Sequence, residues 1–140
     1  MNRTIYPCLW FNGQAKEAAA FYCSIFKNAK ITVDTPMVVR FEINGTQFMG
    51  LNGGPNFKFN ESVSFVVECE TQEEIDHYWD KLTEGGAESM CGWLKDRYGV
   101  SWQIVPTVLA KLMGDPERAG RVMQAFMKMK KFDIATLEQA

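Results

Sequence analysis

The sequence is short of the residues that metal and redox chemistry usually need. It has one histidine, His77, and four cysteines, Cys8, Cys23, Cys69 and Cys91, with no Cys-x-x-Cys pair among them. A zinc site or a redox dithiol of the common spacings is therefore excluded. Basic residues do not exceed acidic ones: 15 Lys plus Arg stand against 17 Asp plus Glu, a formal charge of −2. That balance argues against nucleic acid as a main partner, because phosphate binding needs a clustered basic surface. Lys128, Lys130 and Lys131 do cluster, but cations also suit the negative end of a helix. No apolar run approaches the ~20 residues that span a bilayer, so no membrane partner is expected. The first residues lack the apolar core of a signal peptide, and free thiols fit a reducing compartment, so a cytoplasmic location is expected. At 140 residues the chain is about one domain, long enough to bury its own core.

What is present is a pattern that occurs twice. Residues 5–11 alternate as a strand, with Ile5, Leu9 and Phe11 on one side and Tyr6, Cys8 and Trp10 on the other. Residues 14–27 switch to helical spacing, with Ala15, Ala18, Ala19, Tyr22, Ile25 and Phe26 as the apolar stripe. Strands follow at 31–33, 37–43 and 46–51, the last two joined by the hairpin signal Asn44-Gly45. A linker rich in glycine and asparagine, 52–56, precedes a second strand at 62–69. Thr71 to Glu74 has capping-box spacing and opens a helix with Ile75, Tyr78, Trp79 and Leu82 as its apolar face. Strands at 88–91, 93–98 and 100–105 complete the second set, with Gly99 as a turn. Overlaying the halves sets Glu17 on Glu73, Tyr22 on Tyr78 and Phe48 on Trp102. The order β-α-β-β-β thus occurs twice, giving an α+β class with modules at 1–52 and 60–106 in one domain. Residues 107–140 form a helical extension, with a short helix at 107–113 and another opened by Asp115-Pro116-Glu117. The second carries a stripe of Ala119, Val122, Met123, Phe126 and Met129.

Strand alternation divides the side chains by face. Leu9, Phe11, Phe48, Phe65, Val67, Trp102 and Ile104 should meet the helices. The opposite face holds Tyr6, Cys8, Trp10, Gln47, Met49, Ser62, Ser64, Ser101 and Gln103. Aromatic walls with a few neutral polar groups suit an uncharged or weakly polar small molecule. His77 lies roughly 200° round the helix from Ile75, on the solvent side. Asp96, between Lys95 and Arg97, reads as a salt-bridged surface carboxylate. No nucleophile has a visible base partner, so catalytic residues stay unassigned.

Three stretches resemble the vicinal oxygen chelate (glyoxalase and bleomycin-resistance) superfamily and, within it, the PhnB-like family, also labelled demethylubiquinone methyltransferase-like. They are Glu-Ala-Ala-Ala-Phe-Tyr at 17–22, Gly-Trp-Leu-Lys-Asp-Arg-Tyr-Gly-Val-Ser-Trp-Gln-Ile-Val-Pro at 92–106, and Asp-Pro-Glu-Arg-Ala-Gly-Arg-Val-Met-Gln-Ala-Phe-Met at 115–127. The resemblance implies two curved half-barrels, helices on the convex side, a ligand cavity on the concave side and a homodimer. The metal positions of the superfamily's enzymes would fall on Tyr6, Met49, Ser62 and Gln103, which include no imidazole and no carboxylate. The expectation is a binder of a small molecule with neither metal nor other cofactor. Two alternatives stand beside it: an enzyme on a small oxygenated or quinone-like substrate, by glyoxalase-type, dioxygenase-type or methyl-transfer chemistry, and a structural homodimer with a vestigial pocket.

Overall fold

The computed structural model describes residues 4–140 and divides into two compact units, Met1–Phe59 and Asn60–Ala140. The first contains β1 (Cys8–Phe11), α1 (Ala15–Ile25), β2 (Ala29–Asp34), β3 (Val38–Ile43) and β4 (Thr46–Asn52), in a sheet of order β1-β4-β3-β2. The second contains β5 (Ser64–Cys69), α2 (Gln72–Thr83), β6 (Ala87–Glu88), β7 (Trp93–Lys95) and β8 (Ser101–Pro106), in the order β5-β8-β7-β6. In both sheets the first strand runs parallel to the last, and the other pairs are antiparallel. The twofold β-α-β-β-β order expected from the sequence is what forms.

Each helix covers one face of its own sheet. In the first unit the stripe Ala15, Ala18, Ala19, Tyr22 and Ile25 is buried over Leu9, Phe11, Val39, Phe41 and Phe48. Phe41 and Phe48 are register partners and stack with ring centroids 5.2 Å apart. The Ala15 amide at the start of α1 donates to Asn52 Oδ1 at 2.9 Å, so a side chain from β4 satisfies an open helix N-terminus. The hairpin forms at Asn44-Gly45, both with positive φ, as a two-residue turn of this type requires. In the second unit Thr71 caps α2 by accepting from the Glu74 amide, and Ile75, Trp79 and Leu82 are buried.

The structure corrects several expectations. Ile5 is 97% exposed and β1 starts only at Cys8, because Pro7 has no N–H to give the ladder. The strand expected at 88–91 stops at Glu88: Cys91 and Gly92 have φ of 59° and 82°, which no strand accommodates. The strand expected at 93–98 ends at Lys95, because Asp96 turns the chain. Phe65 and Val67, expected under the helix, are only half-buried.

The C-terminal extension belongs to the second unit and forms three helices, α3 (Val108–Met113), α4 (Ala119–Phe126) and α5 (Ile134–Gln139). Regular helix begins later than the Asp115-Pro116-Glu117 signal suggests, although Asp115 still accepts from the Glu117 amide. The sequence reading has no counterpart of α5, which Asp133 caps by accepting from the Thr136 amide. Leu112, Val122, Phe132 and Leu137 are buried. Backbone bonds dock the extension: the Cys91 and Gly92 amides donate to the carbonyls of Met129 and Lys130, both at 2.8 Å. The Gln72 side chain donates to the Phe132 carbonyl and accepts from the Ile134 amide, each at 2.9 Å. Lys131 adds a 2.8 Å ion pair with Asp76, whose side-chain hydrogen bond holds that carboxyl below its ordinary range. Both partners are part-exposed, so the pair contributes no more than about 1 kcal/mol.

All four cysteines are free, and they differ in accessibility. Burial, with a smaller contribution from Glu74, pushes the Cys69 thiol from 9.0 up to about 11. Folding favours its protonated form, so this contribution to stability is complete below pH 9.0 and is lost as pH rises through about 11. A disulfide reagent at pH 8 should therefore modify exposed Cys8 first and spare Cys69 until the protein unfolds. Modification of Cys69 at the rate of Cys8 in native protein, read by mass spectrometry, would show the burial to be wrong.

Candidate functional site

With α2 on one face of the second sheet, alternation sends Ser64, Lys95, Trp93, Ser101 and Gln103 to the other. Gln103 Nε2 donates to Ser64 Oγ at 2.9 Å, a diagonal bond between neighbouring parallel strands. Ser62 lies outside this row. It precedes β5, is exposed, and binds the Asn60 side chain through both its amide and its hydroxyl. Of the two serines expected on the face of Gln103, Ser64 is thus the one that meets it, and Ser62 does not.

Next to that pair an open cleft of about 590 Å³ runs along β7 toward the 88–91 loop. Its polar and aromatic lining comes from Glu61, Glu88, Ser89, Trp93, Lys95 and Ser101, with Met90 and Cys91 at the loop, and the Glu88 carboxylate accepts from the Trp79 indole at 3.0 Å. Lys95 and Ser101 are register partners, and the Lys95 ammonium pairs with the Glu61 carboxylate. Ser101 is 1% exposed, and its hydroxyl has no hydrogen-bond partner among the described residues. Such a group is an exception, because buried hydroxyls are nearly always paired.

The helix-free face of the first unit carries Tyr6, Cys8, Trp10, Gln47 and Met49 with Arg40 among them. Cys8, Met49 and Arg40 share one row of the register. The Arg40 guanidinium lies over the Tyr6 ring, 4.8 Å from its centroid, and donates to Gln47 Oε1 at 3.2 Å. Trp10 is not an open wall. Its indole donates to the Gly54 carbonyl at 2.9 Å and meets the Phe57 ring edge-on at 4.9 Å. The stretch 52–56, expected to be a linker, folds back on it so closely that a Cβ on Gly53 would sit 2.3 Å from the indole.

Arg40, Trp93 and Lys95 were missed in the sequence, and alternation was the signal that could have found them. Val39, Phe41 and Ile43 are apolar and buried, so Arg40 between them must face the other way. With Arg40 and Lys95 in place, each helix-free face carries a cation, which the expectation of an uncharged ligand left out.

Asp96 is a further correction. It is 3% exposed, and its Oδ1 accepts from the amides of Tyr98 and Val100 at 2.9 and 3.1 Å. Its Oδ2 accepts from the Trp102 indole at 2.9 Å. It is the acceptor that closes the β7–β8 turn rather than a surface ion-pair member, and it is far too engaged to serve as a free base.

A divalent ion does not fit either face. The groups at the corresponding positions are a phenol, a thioether, a hydroxyl and an amide, of which only the neutral amide oxygen is a passable ligand, since the amide nitrogen donates to Ser64. Among the described residues no three His, Cys, Asp or Glu side chains gather as a ligand set.

Comparison with known proteins places this geometry. The model of the family described as 3-demethylubiquinone-9 3-methyltransferase matches residues 3–105, up to the end of the second sheet and short of the helical extension. A PhnB protein from Bacillus cereus, of that same description, is 35% identical over 75% of this chain and all of its own, with a TM-score of 0.69. Two more distant structures share the fold. The fosfomycin resistance protein FosX from Listeria monocytogenes, solved with Mn(II) and sulfate, is 15% identical over 81% of this chain and 98% of its own, with a TM-score of 0.61. A glyoxalase-related enzyme from Fulvimarina pelagi is 13% identical over 77% of this chain and 91% of its own, with a TM-score of 0.56. No curated protein matches the sequence. With paired β-α-β-β-β units of the glyoxalase/bleomycin resistance-like fold and a family match across most of its length, the chain belongs to the PhnB-like, 3-demethylubiquinone-9 3-methyltransferase family.

Proposed function

We propose that the chain binds a small organic molecule, without a metal, against the helix-free face of the sheet in its second unit. The observation that carries this reading is the 590 Å³ cleft, a size suited to a ligand of drug-like dimensions, with an aromatic wall at Trp93 and polar groups at Lys95 and Ser101. Gln103 and Ser64 extend the polar row, and Tyr6, Arg40, Gln47 and Met49 form a comparable mixed face in the first unit. The reading includes a homodimer: β5 is an edge strand of its own sheet, and the apolar residues Val63 and Val66 are 65% and 54% exposed there. It also includes a cytoplasmic setting, which four free thiols suit.

Methyl transfer, the activity in the family's description, finds little support in the residues present. Cofactor-dependent methylation commonly rests on a glycine-rich turn that leads a strand into a helix N-terminus. Here β1 reaches α1 through Asn12-Gly13-Gln14, a turn with one glycine, and Gly53-Gly54 leads into no helix.

The test is a thermal-shift screen of hydroquinones, benzoates and glycopeptides, because a ligand that binds only the native state raises the midpoint. A ligand at one hundred times its dissociation constant adds about 2.7 kcal/mol. Trp93→Ala should abolish the shift. If no class raises the midpoint, or if Trp93→Ala leaves the shift intact, the site is not this cleft.

A further inference from the structure

On the reading that this cleft is a binding site, we infer that it takes an aromatic carboxylate and that Glu61 acts as a built-in competitor for the same cation. Three features of the second unit meet here. Lys95, on β7, is the one side chain of the polar row that brings a positive charge. Its present partner is Glu61, a carboxylate on the segment before β5, and the two side chains are 43% and 61% exposed. Ser101, the register partner of Lys95, holds a buried hydroxyl with no partner.

An unpaired buried hydroxyl costs stability, so a fold that keeps one gives up an easy gain unless a ligand supplies the missing partner. A carboxylate bound to Lys95 has a second oxygen that can accept from the Ser101 hydroxyl, and its aromatic ring can rest on Trp93. A neutral ring would gain the stacking alone. Glu61 occupies the ammonium in the meantime, as a carboxylate of the protein standing where the ligand's would be. Since exposed ion pairs are weak, a ligand that brings stacking and a hydroxyl bond besides its charge can displace it. The competitor then acts as a selectivity filter, which simple anions bringing charge alone pass poorly.

The experiment titrates benzoate and, separately, phenol into the full chain and three variants, with calorimetric and thermal readouts. Benzoate should bind more tightly than phenol. Glu61→Gln should tighten benzoate about two- to fivefold, the scale of one exposed ion pair removed, and leave phenol unchanged. Lys95→Met should weaken benzoate at least tenfold, the scale of a charge-assisted hydrogen bond. Ser101→Ala should weaken benzoate while leaving the unfolding midpoint unchanged or raised, which a structural role for the hydroxyl would not produce. Equal binding of phenol and benzoate, with Glu61→Gln without effect, overturns the inference and leaves the cleft a binding site. No binding of either probe, to the native chain or to Glu61→Gln, overturns both.

Discussion

Asp96→Ala should lower the free energy of unfolding by about 3–5 kcal/mol, the loss expected when a buried, multiply bonded carboxylate is removed. The variant orphans three donors at once, the amides of Tyr98 and Val100 and the Trp102 indole. Water cannot replace the carboxylate easily, because Asp96, Val100 and Trp102 are all 3% exposed or less. Asp96→Asn should cost less. Its carbonyl oxygen still serves the two amides, while its NH₂ group confronts the indole N–H with a second donor. The measurement is the urea midpoint of the two variants against the parent, with tryptophan fluorescence as the probe. A loss below about 1 kcal/mol for Asp96→Ala, the worth of a single ordinary hydrogen bond, would show that the carboxylate does not hold this turn.

Gly92→Ala should cost about 2–5 kcal/mol and loosen the C-terminal extension. Two penalties combine. Gly92 has a φ of 82°, where an L side chain costs roughly 1–2 kcal/mol. An added Cβ would also lie 2.4 Å from the Phe132 ring and 2.9 Å from the Ile104 carbonyl, so something must shift, at a cost of roughly 1–3 kcal/mol. The easiest shift moves Phe132 away, and residues 129–134 with it. Limited proteolysis should then cut the extension in Gly92→Ala under conditions that leave the parent intact. A double-mutant cycle with Phe132→Ala separates the penalties, because without the ring the added cost of Gly92→Ala should fall by more than 0.5 kcal/mol. Additive losses in that cycle, or an extension as resistant as the parent's, would mean that Phe132 does not seat on Gly92.

Alternation and helical spacing carried the architecture. The stripe on α1, the cap at Thr71 and the turn at Asn44-Gly45 are local signals, and each forms where the sequence places it. What was not legible depends on partners distant in the chain. Asp96 looks like a surface charge among its neighbours Lys95 and Arg97, and only the return of β8 brings the Trp102 indole to it. Trp10 looks free until residues 53–57 fold back over it. Helix α5 is six residues long, too short to show a period, and is fixed by contacts with α3 and α4. The site divides in the same way. Ser64, Ser101 and Gln103 follow from counting along strands, whereas the Lys95–Glu61 pair joins a strand to a loop that no periodicity governs.

The single side chain of Gln72 has a consequence for which changes the extension can absorb. A primary amide offers two N–H donors and one carbonyl oxygen, and here one donor meets the Asp76 carboxylate, the other the carbonyl of Phe132, while the oxygen accepts from the amide of Ile134. The amides of Cys91 and Gly92 likewise meet carbonyls, those of Met129 and Lys130. All four of these bonds to the extension read main chain, so they are indifferent to which side chains occupy 129–131, 133 and 134. They are not indifferent to spacing. One residue inserted between Lys130 and Phe132 would put the two sets of bonds out of phase, and the latch at Gln72 could close only by opening the one at Gly92. In descent, these four bonds therefore leave composition to other constraints, such as the Asp133 cap and the Lys131 ion pair, and hold the segment to a fixed length.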